Sequence, residues 1–285
     1  RGREQVRGTG TWLLALTGPR ISPKLAYYDR SLEIDAALLT RTNELLVSAL
    51  AGGVFLTRKE IGAFLANHGV VASGQRLGHI LMHAELEALI CSGPVKGKQQ
   101  TYALLAERAP NARNLDEDEA LVELTRRFFV SRGPATAKDL QVWGTLTAVN
   151  VRTGLELDRG ELERTVVDGR TYWSGPPVDA AAPPSPTFDV VQGYDEVVMS
   201  YSESRDVLFT DVVNENPMRE QVPFLHAVLL DGRLIGHWRP VARGKTVALE
   251  ASFYRPLAPE EQDALAAAVS RYGRFLEQPV ALATA

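Results

Sequence analysis

Apolar positions between residues 56 and 105 change their spacing in a way that marks two helices followed by a hairpin. Thr57 and Glu60 have the three-residue spacing of a capping box, so a helix is predicted over residues 58–67 with Gly69 as its stop. Ser73 is the predicted cap of a second, longer helix. One stripe of that helix is apolar and consists of Leu77, Leu81, Ala84 and Ala88. Turn residues 92–94 and Gly97 then predict a hairpin.

A third helix is predicted upstream, over residues 34–50, and ends at Gly52 and Gly53. Three helices followed by a two-stranded wing are typical of a winged-helix unit. The same order recurs from residue 116, where Thr136 caps a helix with Asp139 at its third position, and an Asp168-Gly169 turn ends the repeat in a hairpin. The pattern therefore predicts tandem winged helices.

The sequence after residue 186 favours a different class of secondary structure from the sequence before it. Five prolines within 176–186 indicate an extended linker. Runs rich in β-formers follow, including one after the Arg243-Gly244-Lys245 turn, and a helix with an apolar stripe closes the chain. That stripe contains Leu265, Val269, Tyr272, Phe275 and Leu276.

The predicted fold class is α+β, with tandem winged-helix domains followed by a C-terminal antiparallel β-barrel and a terminal helix. A parallel pairing would contradict this fold. The basic stretch at the start resembles the frayed end of an earlier element, and we expect sequence before Arg1. The predicted domains are the remnant of a first winged helix (1–21), two winged helices (22–109 and 110–175), the linker (176–186) and the barrel (187–285).

The formal charge of −4 gives no global basic footprint, so any binding to nucleic acid must use a local patch. One cysteine, Cys91, excludes an internal disulfide framework. No run of about 18 apolar residues and no secretory pattern occurs, which predicts a cytoplasmic protein without a membrane partner.

Candidate DNA contacts lie on the polar face of the second helix and on the wing. Glycine beside the wing lysines permits close approach to phosphate, although a solvated hairpin tip is the alternative. We expect the basic N-terminal stretch, Arg76 and the wing to share one positive surface. The predicted DNA-binding residues are Arg7, Arg76, His79, His83, Lys96, Lys98 and Gln99.

The sequence offers candidate residues for two other kinds of site. His79, His83 and Cys91 offer three zinc ligands, but structural zinc sites normally have four, so no metal is predicted. Carboxylates at Asp189 and at Tyr194-Asp195-Glu196 could act in glycosidic bond cleavage, with an ordinary polar strand edge as the alternative. No phosphate loop, nucleophile elbow or His-Glu-x-x-His motif occurs in the chain.

The sequence around Ser73 resembles the bacterial winged-helix family that includes the AlkZ/YcaQ-type DNA glycosylases. The resemblance extends over essentially the whole chain. Its other matching pieces are RGT at Arg7, LALTGPR at Leu14, LDEDEALVELTRRFF at Leu115, VDGRTYW at Val167, YDE at Tyr194, DGRLIGHWR at Asp231 and RYGRFL at Arg271.

This resemblance implies three tandem winged helices around a DNA channel, a C-terminal barrel, and excision of alkylated purines, including unhooking of interstrand crosslinks. The catalytic Gln-x-Gln or Gln-x-Asp motif of characterised members does not occur in this sequence and is expected upstream of Arg1, so no catalytic residue is assigned. We expect a monomeric DNA glycosylase without a cofactor, acting on double-stranded DNA with alkylated bases in the bacterial cytoplasm, associated with the nucleoid. A non-catalytic DNA-binding protein or regulator of the same fold is the alternative.

Overall fold

The computed structural model describes residues 2–158, 160–177, 181, 184–209, 224–244 and 246–284. The fold is mixed α+β, and the chain enters each of two compact units twice. The first unit contains residues 1–128 and 144–160, and the second contains residues 129–143 and 161–285. Among the described residues, no helix is long and apolar enough to cross a membrane.

Helices dominate the first unit. They are α1 (Gly2–Ile21), a 3-10 helix (Ser22–Leu25), α2 (Ala26–Ser31), α3 (Ala36–Leu50), α4 (Arg58–Asn67), α5 (Gly74–Leu86), α6 (Leu105–Arg108), most of α7 (Glu117–Arg132) and α9 (Ala148–Leu157). The predicted capping box of α4 is confirmed, because Thr57 and Glu60 bond each other reciprocally. Ser73 occupies the N-cap position of α5 but makes no side-chain cap hydrogen bond.

Three short strands complete this unit. They are β1 (Leu56–Thr57), β2 (Ile90–Ser92) and β3 (Thr101–Leu104), in the order β1-β3-β2 and all antiparallel. The core between the sheet and α3, α4 and α5 is aliphatic, and each fully buried side chain of this size contributes about 1.5–3 kcal/mol. Its completely buried leucines and isoleucines are Leu46, Leu50, Ile61, Leu65, Ile80 and Ile90.

The N-terminal stretch is a helix, so its interpretation as a frayed end was wrong. Trp12 of α1 is 2% exposed, and the guanidinium of Arg127 lies 5.5 Å from its ring centroid. A Cβ at Gly18 would lie 2.5 Å from the carbonyl oxygen of Leu86, so glycine allows α1 to approach the end of α5. Helix–helix contacts, which local composition does not reveal, stabilise α1.

The second unit contains α8 (Ala137–Trp143), α10 (Glu196–Met199), a 3-10 helix (Ser204–Leu208) and α11 (Pro259–Leu276), together with seven strands. The strands are β4 (Glu163–Val167), β5 (Arg170–Ser174), β6 (Phe188–Val191), β7 (Ala227–Leu230), β8 (Arg233–Arg243), β9 (Thr246–Phe253) and β10 (Val280–Thr284). The β4–β5 hairpin is confirmed, with positive φ at both Asp168 and Gly169 as a type I′ turn requires.

Five strands form one curled sheet in the order β10-β9-β8-β7-β6. A register shift between Val228 and Leu229 is a bulge of the kind that bends strands. The expectation of a purely antiparallel sheet was wrong, because β10 pairs with β9 in parallel. The connecting helix α11 is the crossover that a parallel pair needs. In the described part of the chain no pairing joins β6 to β10, so the sheet is open rather than a closed barrel.

Helix α11 packs on this sheet through Leu265, Ala268 and Val269. The prediction was wrong for Phe275, which is 81% exposed. Phe275 lies in the last turn of α11, beyond Tyr272, the last residue of this helix found packed against the core. Within the predicted linker, residues 178–180 and 182–183 lie outside the described residues, as do Arg1 and Lys245.

Candidate nucleic-acid interface

A groove of about 700 Å³ lies in the first unit, between the first turns of α4 and α5 and the hairpin. Its lining is mixed basic, polar and apolar. The lining residues are Arg58, Lys59, Gly62, Ala72, Ser73, Gly74, Leu77, Gln99, Gln100 and Tyr102. Arg58 and Lys59 follow the N-cap of α4, so two cations add to the positive end of that helix dipole. The groove therefore favours an anion.

Arg58 is held across the start of α5. Its guanidinium donates a hydrogen bond to the carbonyl oxygen of Gly74, and a Cβ at Gly78 would lie 2.9 Å from its Nη2. The absence of a side chain at Gly78 leaves room for this arrangement. Burial raises the pKa of Tyr102, and the charge of Glu85 raises it further while Arg58 opposes. Tyr102 thus remains a neutral hydroxyl at physiological pH.

Lys96 is engaged within the protein. Its Nζ lies 2.6 Å from Oε1 of Glu60, the carboxylate of the α4 capping box. This hydrogen bond from Lys96, together with those from Thr57, lowers the pKa of Glu60 to about 2. Both partners are exposed, so the pair contributes little to stability. Its effect is to tie the hairpin tip to α4.

Lys98 and Gln99 lie at the exposed hairpin tip. Backbone hydrogen bonds of 2.9 and 3.1 Å link Lys96 and Gln99 in both directions and close a two-residue loop. Gly97 has φ of +64°, as the first central residue of a type II′ turn requires. Among the described residues, Lys98 has no ion-pair partner, so its charge is available to a ligand.

The predicted α5 residues lie away from the groove. Nε2 of His83 is 3.0 Å from both carboxylate oxygens of Asp29, and the His83 residue is 6% exposed. Nδ1 of His79 lies 3.7 Å from the same carboxylate, and Arg76 donates to the carbonyl oxygen of Glu33 at 3.1 Å. These side chains therefore hold the α2 segment against α5. The sequence predicted no helix or strand over residues 22–33, so the polar face of α5 was interpreted as open to a ligand.

The remaining candidates are dispersed. Arg7 lies in α1. Cys91 is in β2, opposite Ala103, while the two histidines converge on Asp29. In the described ranges, no group of three or more His, Cys, Asp or Glu side chains could hold a metal ion.

The candidate carboxylates of the second unit are engaged in local structure. The interpretation of residues 194–196 as strand was wrong, because Tyr194 has φ of +62° and α10 begins at Glu196. Asp195 caps that helix through a 3.0 Å bond from the Val197 N–H. Burial raises the pKa of Glu196, but hydrogen bonds from Ser200, Arg132 and Trp143 outweigh this effect and lower it.

Sequence reasoning missed Arg58, Lys59, Gln100 and Tyr102 as groove residues. A signal was present for the first two, because cations in the first turn of a helix oppose the helix dipole and are unfavourable without an anion. Gln100 and Tyr102 had no comparable signal, since their position depends on the register of β3 against β1.

A family model described as DNA glycosylase AlkZ-like matches residues 9–275. The solved structure of the Streptomyces sahachiroi DNA glycosylase AlkZ is similar in fold, with a TM-score of 0.73 and 18% identity, over 98% of this chain and 77% of that chain. No curated protein matched. Because the family model covers nearly the whole sequence, the chain belongs to the AlkZ-like DNA glycosylase family.

Proposed function

We propose that this protein hydrolyses the N-glycosidic bond of alkylated purines in double-stranded DNA, with unhooking of interstrand crosslinks as a further activity. Family membership over residues 9–275 supports the reaction class. The observation that carries DNA binding is the groove of the first unit, where Arg58 and Lys59 add cationic charge to the N-terminal end of α4.

The groove has the composition that a DNA backbone requires. Arg58, Lys59 and the hairpin Lys98 supply charge for phosphates, and phosphate contacts position a protein on DNA without specifying sequence. Gln99 and Gln100 supply amides that can bond to sugar and phosphate oxygens. Gly97 at the hairpin tip lets the backbone approach closely.

We further propose that α3, α4 and α5 with β1, β2 and β3 are one winged helix, and that α7, α8 and α9 with β4 and β5 are a second. The order of helices followed by a hairpin supports both. In such motifs the second helix of the helix-turn-helix enters the major groove. Burial of His83 and the bonds of Arg76 make α5 readout by these residues unfavourable, and the groove beside the hairpin is the better DNA site.

Alkylation at a ring nitrogen makes the purine a cationic leaving group, so the protein needs only to position water and to stabilise an oxocarbenium-like sugar. No metal or cofactor is required for this reaction. An open groove suits a bulky lesion better than the deep pocket of a base-flipping enzyme. The protein would act as a monomer associated with the bacterial nucleoid.

The test is release of free base from duplex DNA that carries 7-methylguanine, measured by mass spectrometry against a protein-free control. The expected result is free 7-methylguanine and an abasic site, with release greatly reduced in an Arg58→Ala/Lys59→Ala variant. Tight binding of the duplex without release of any base would instead support a non-catalytic DNA-binding protein, which is the second candidate function.

A further inference from the structure

Helix α2 and the 3-10 helix before it present aromatic and cationic side chains to solvent. Tyr27 is 69% exposed and Tyr28 is 51% exposed, and their rings meet edge to face with centroids 5.5 Å apart. Lys24 and Arg30 are exposed on either side of this pair in the sequence. We call Lys24, Tyr27, Tyr28 and Arg30 the tyrosine–cation face.

The charge of this face is not neutralised locally. Neither Lys24 nor Arg30 makes an ion pair with any residue that the structure describes. Asp29, the carboxylate within α2, is turned inward, with a side chain that is 16% exposed. The other carboxylate of residues 22–33, Glu33, lies beyond the end of α2. The tyrosine–cation face therefore combines free positive charge with exposed rings.

Side chains of α5 hold α2 in place. His83 bonds Asp29 at 3.0 Å, and the ring of His79 lies 5.3 Å from that of Tyr28. Arg76 bonds the carbonyl oxygen of Glu33 just past the helix. A short helix with so many contacts to its neighbour exposes its tyrosines in a fixed geometry, which reduces the entropy that a partner must overcome.

We propose that the tyrosine–cation face is a second DNA contact, in which Lys24 and Arg30 bind phosphates and Tyr27 packs on a sugar or an unstacked base. The inference rests on the proposed function, because it assumes that duplex DNA occupies the groove. Aromatic rings beside cations are the combination that nucleic acids bind through stacking and charge.

The groove and the tyrosine–cation face both adjoin α5. Gly74 of α5 lines the groove, and His83, nine residues later, holds α2. At 1.5 Å per residue these positions are about 13 Å apart along the helix. Nine residues are about two and a half turns, so the two positions also project from opposite sides of α5, and a duplex that contacts both surfaces has to lie across this helix.

The test is binding of a fluorescein-labelled duplex with one alkylated base, followed by anisotropy from low to high NaCl. Lys24→Ala/Arg30→Ala should reduce the slope of log affinity against log salt by about 2, since each phosphate contact contributes about 0.9. Tyr27→Ala should weaken binding about tenfold at an unchanged slope, because stacking does not release counterions. Tyr27→Phe should bind like the wild type.

An Arg271→Ala/Arg274→Ala variant is the matched control, because it removes two exposed cations elsewhere, both from α11. Its slope should exceed that of the Lys24/Arg30 variant. Equal slopes for both variants, or an unchanged slope in the Lys24/Arg30 variant, would overturn the inference. A wild-type protein that binds the duplex through this face but releases no base would contradict the proposed glycosylase activity and leave the second contact standing.

Discussion

Replacement of Asp139 should destabilise the second unit more than any exposed aspartate does. Asp139 is 0% exposed and lies in the first turn of α8. Its Oδ1 accepts backbone N–H bonds from Ser202, Glu203 and Ser204 at 2.7, 2.8 and 3.2 Å. Its Oδ2 accepts from the N–H and hydroxyl of Thr136 at 2.8 and 2.9 Å, and from the Ser204 hydroxyl at 2.6 Å.

The effect of Asp139→Asn follows from the number of donors. If the amide oxygen takes the three N–H groups of residues 202–204, the amide NH2 faces the Thr136 N–H, and both are donors. One unsatisfied buried donor costs about 1–3 kcal/mol, and each remaining bond loses the extra strength that charge gives it. We expect a loss of about 3 kcal/mol in the free energy of unfolding. Asp139→Ala removes every acceptor and should cost about 4–5 kcal/mol.

Urea denaturation at pH 7, with amide hydrogen exchange of the α8 peptide as a local probe, measures this effect. Asp263→Asn makes the same chemical change at an exposed position on α11 and should cost less than about 0.5 kcal/mol. An Asp139→Asn variant as stable as the Asp263→Asn control would refute the reasoning.

The pH dependence supplies a second check. Burial raises the pKa of Asp139, but hydrogen bonds from Ser204, Thr136 and Ser202 outweigh burial and lower it. A lowered folded-state pKa means that the carboxylate stabilises fully above its unfolded pKa of about 3.9, and that this stabilisation is lost as pH falls further. The difference between wild type and Asp139→Asn should therefore shrink below about pH 4. A difference that grows on acidification would contradict this assignment.

Further predictions concern the hairpin and a helix contact. In salt titrations of DNA binding, Lys98→Ala should reduce the slope of log affinity against log salt by about 0.9. Lys96→Ala should reduce this slope less, because Lys96 already pairs with Glu60. Equal reductions for the two variants would contradict the pairing argument. Gly154→Ala should lower the free energy of unfolding by about 1–3 kcal/mol in urea denaturation, because its Cβ would lie 2.2 Å from Oγ1 of Thr125; unchanged stability would show that α7 and α9 adjust freely.

Local signals predicted much of the fold. A capping box has a fixed spacing of three residues. The boxes of Thr57 with Glu60 and of Thr136 with Asp139 therefore gave correct predictions of where α4 and α8 begin. The Asp168-Gly169 turn specified its hairpin because its backbone conformation strongly favours those residue types. Such features depend on a few neighbouring residues, which a sequence displays directly.

Features that depend on distant partners were missed. Helix α1 contains glycines and threonines that disfavour helix, and Trp12 becomes a core residue only in the folded unit. Strand β10 is short, and its parallel pairing with β9 follows from how α11 crosses the sheet. The inward turn of His83 likewise depends on Asp29, which is 54 residues away. The groove and the side chains around it therefore could not be predicted from hydrophobic periodicity alone.

The interleaved path of the chain limits how the protein can be divided. Residues 144–160 return to the first unit and carry α9, whose Gly154 lies against Thr125 of α7. Truncation after residue 128 would remove this helix from the first unit, while a fragment that begins at residue 161 would lack α8 and its Asp139. The chain passes from one unit to the other after residues 128, 143 and 160, so a chimaera with a related protein that has a single recombination breakpoint between residues 128 and 161 is expected to be insoluble.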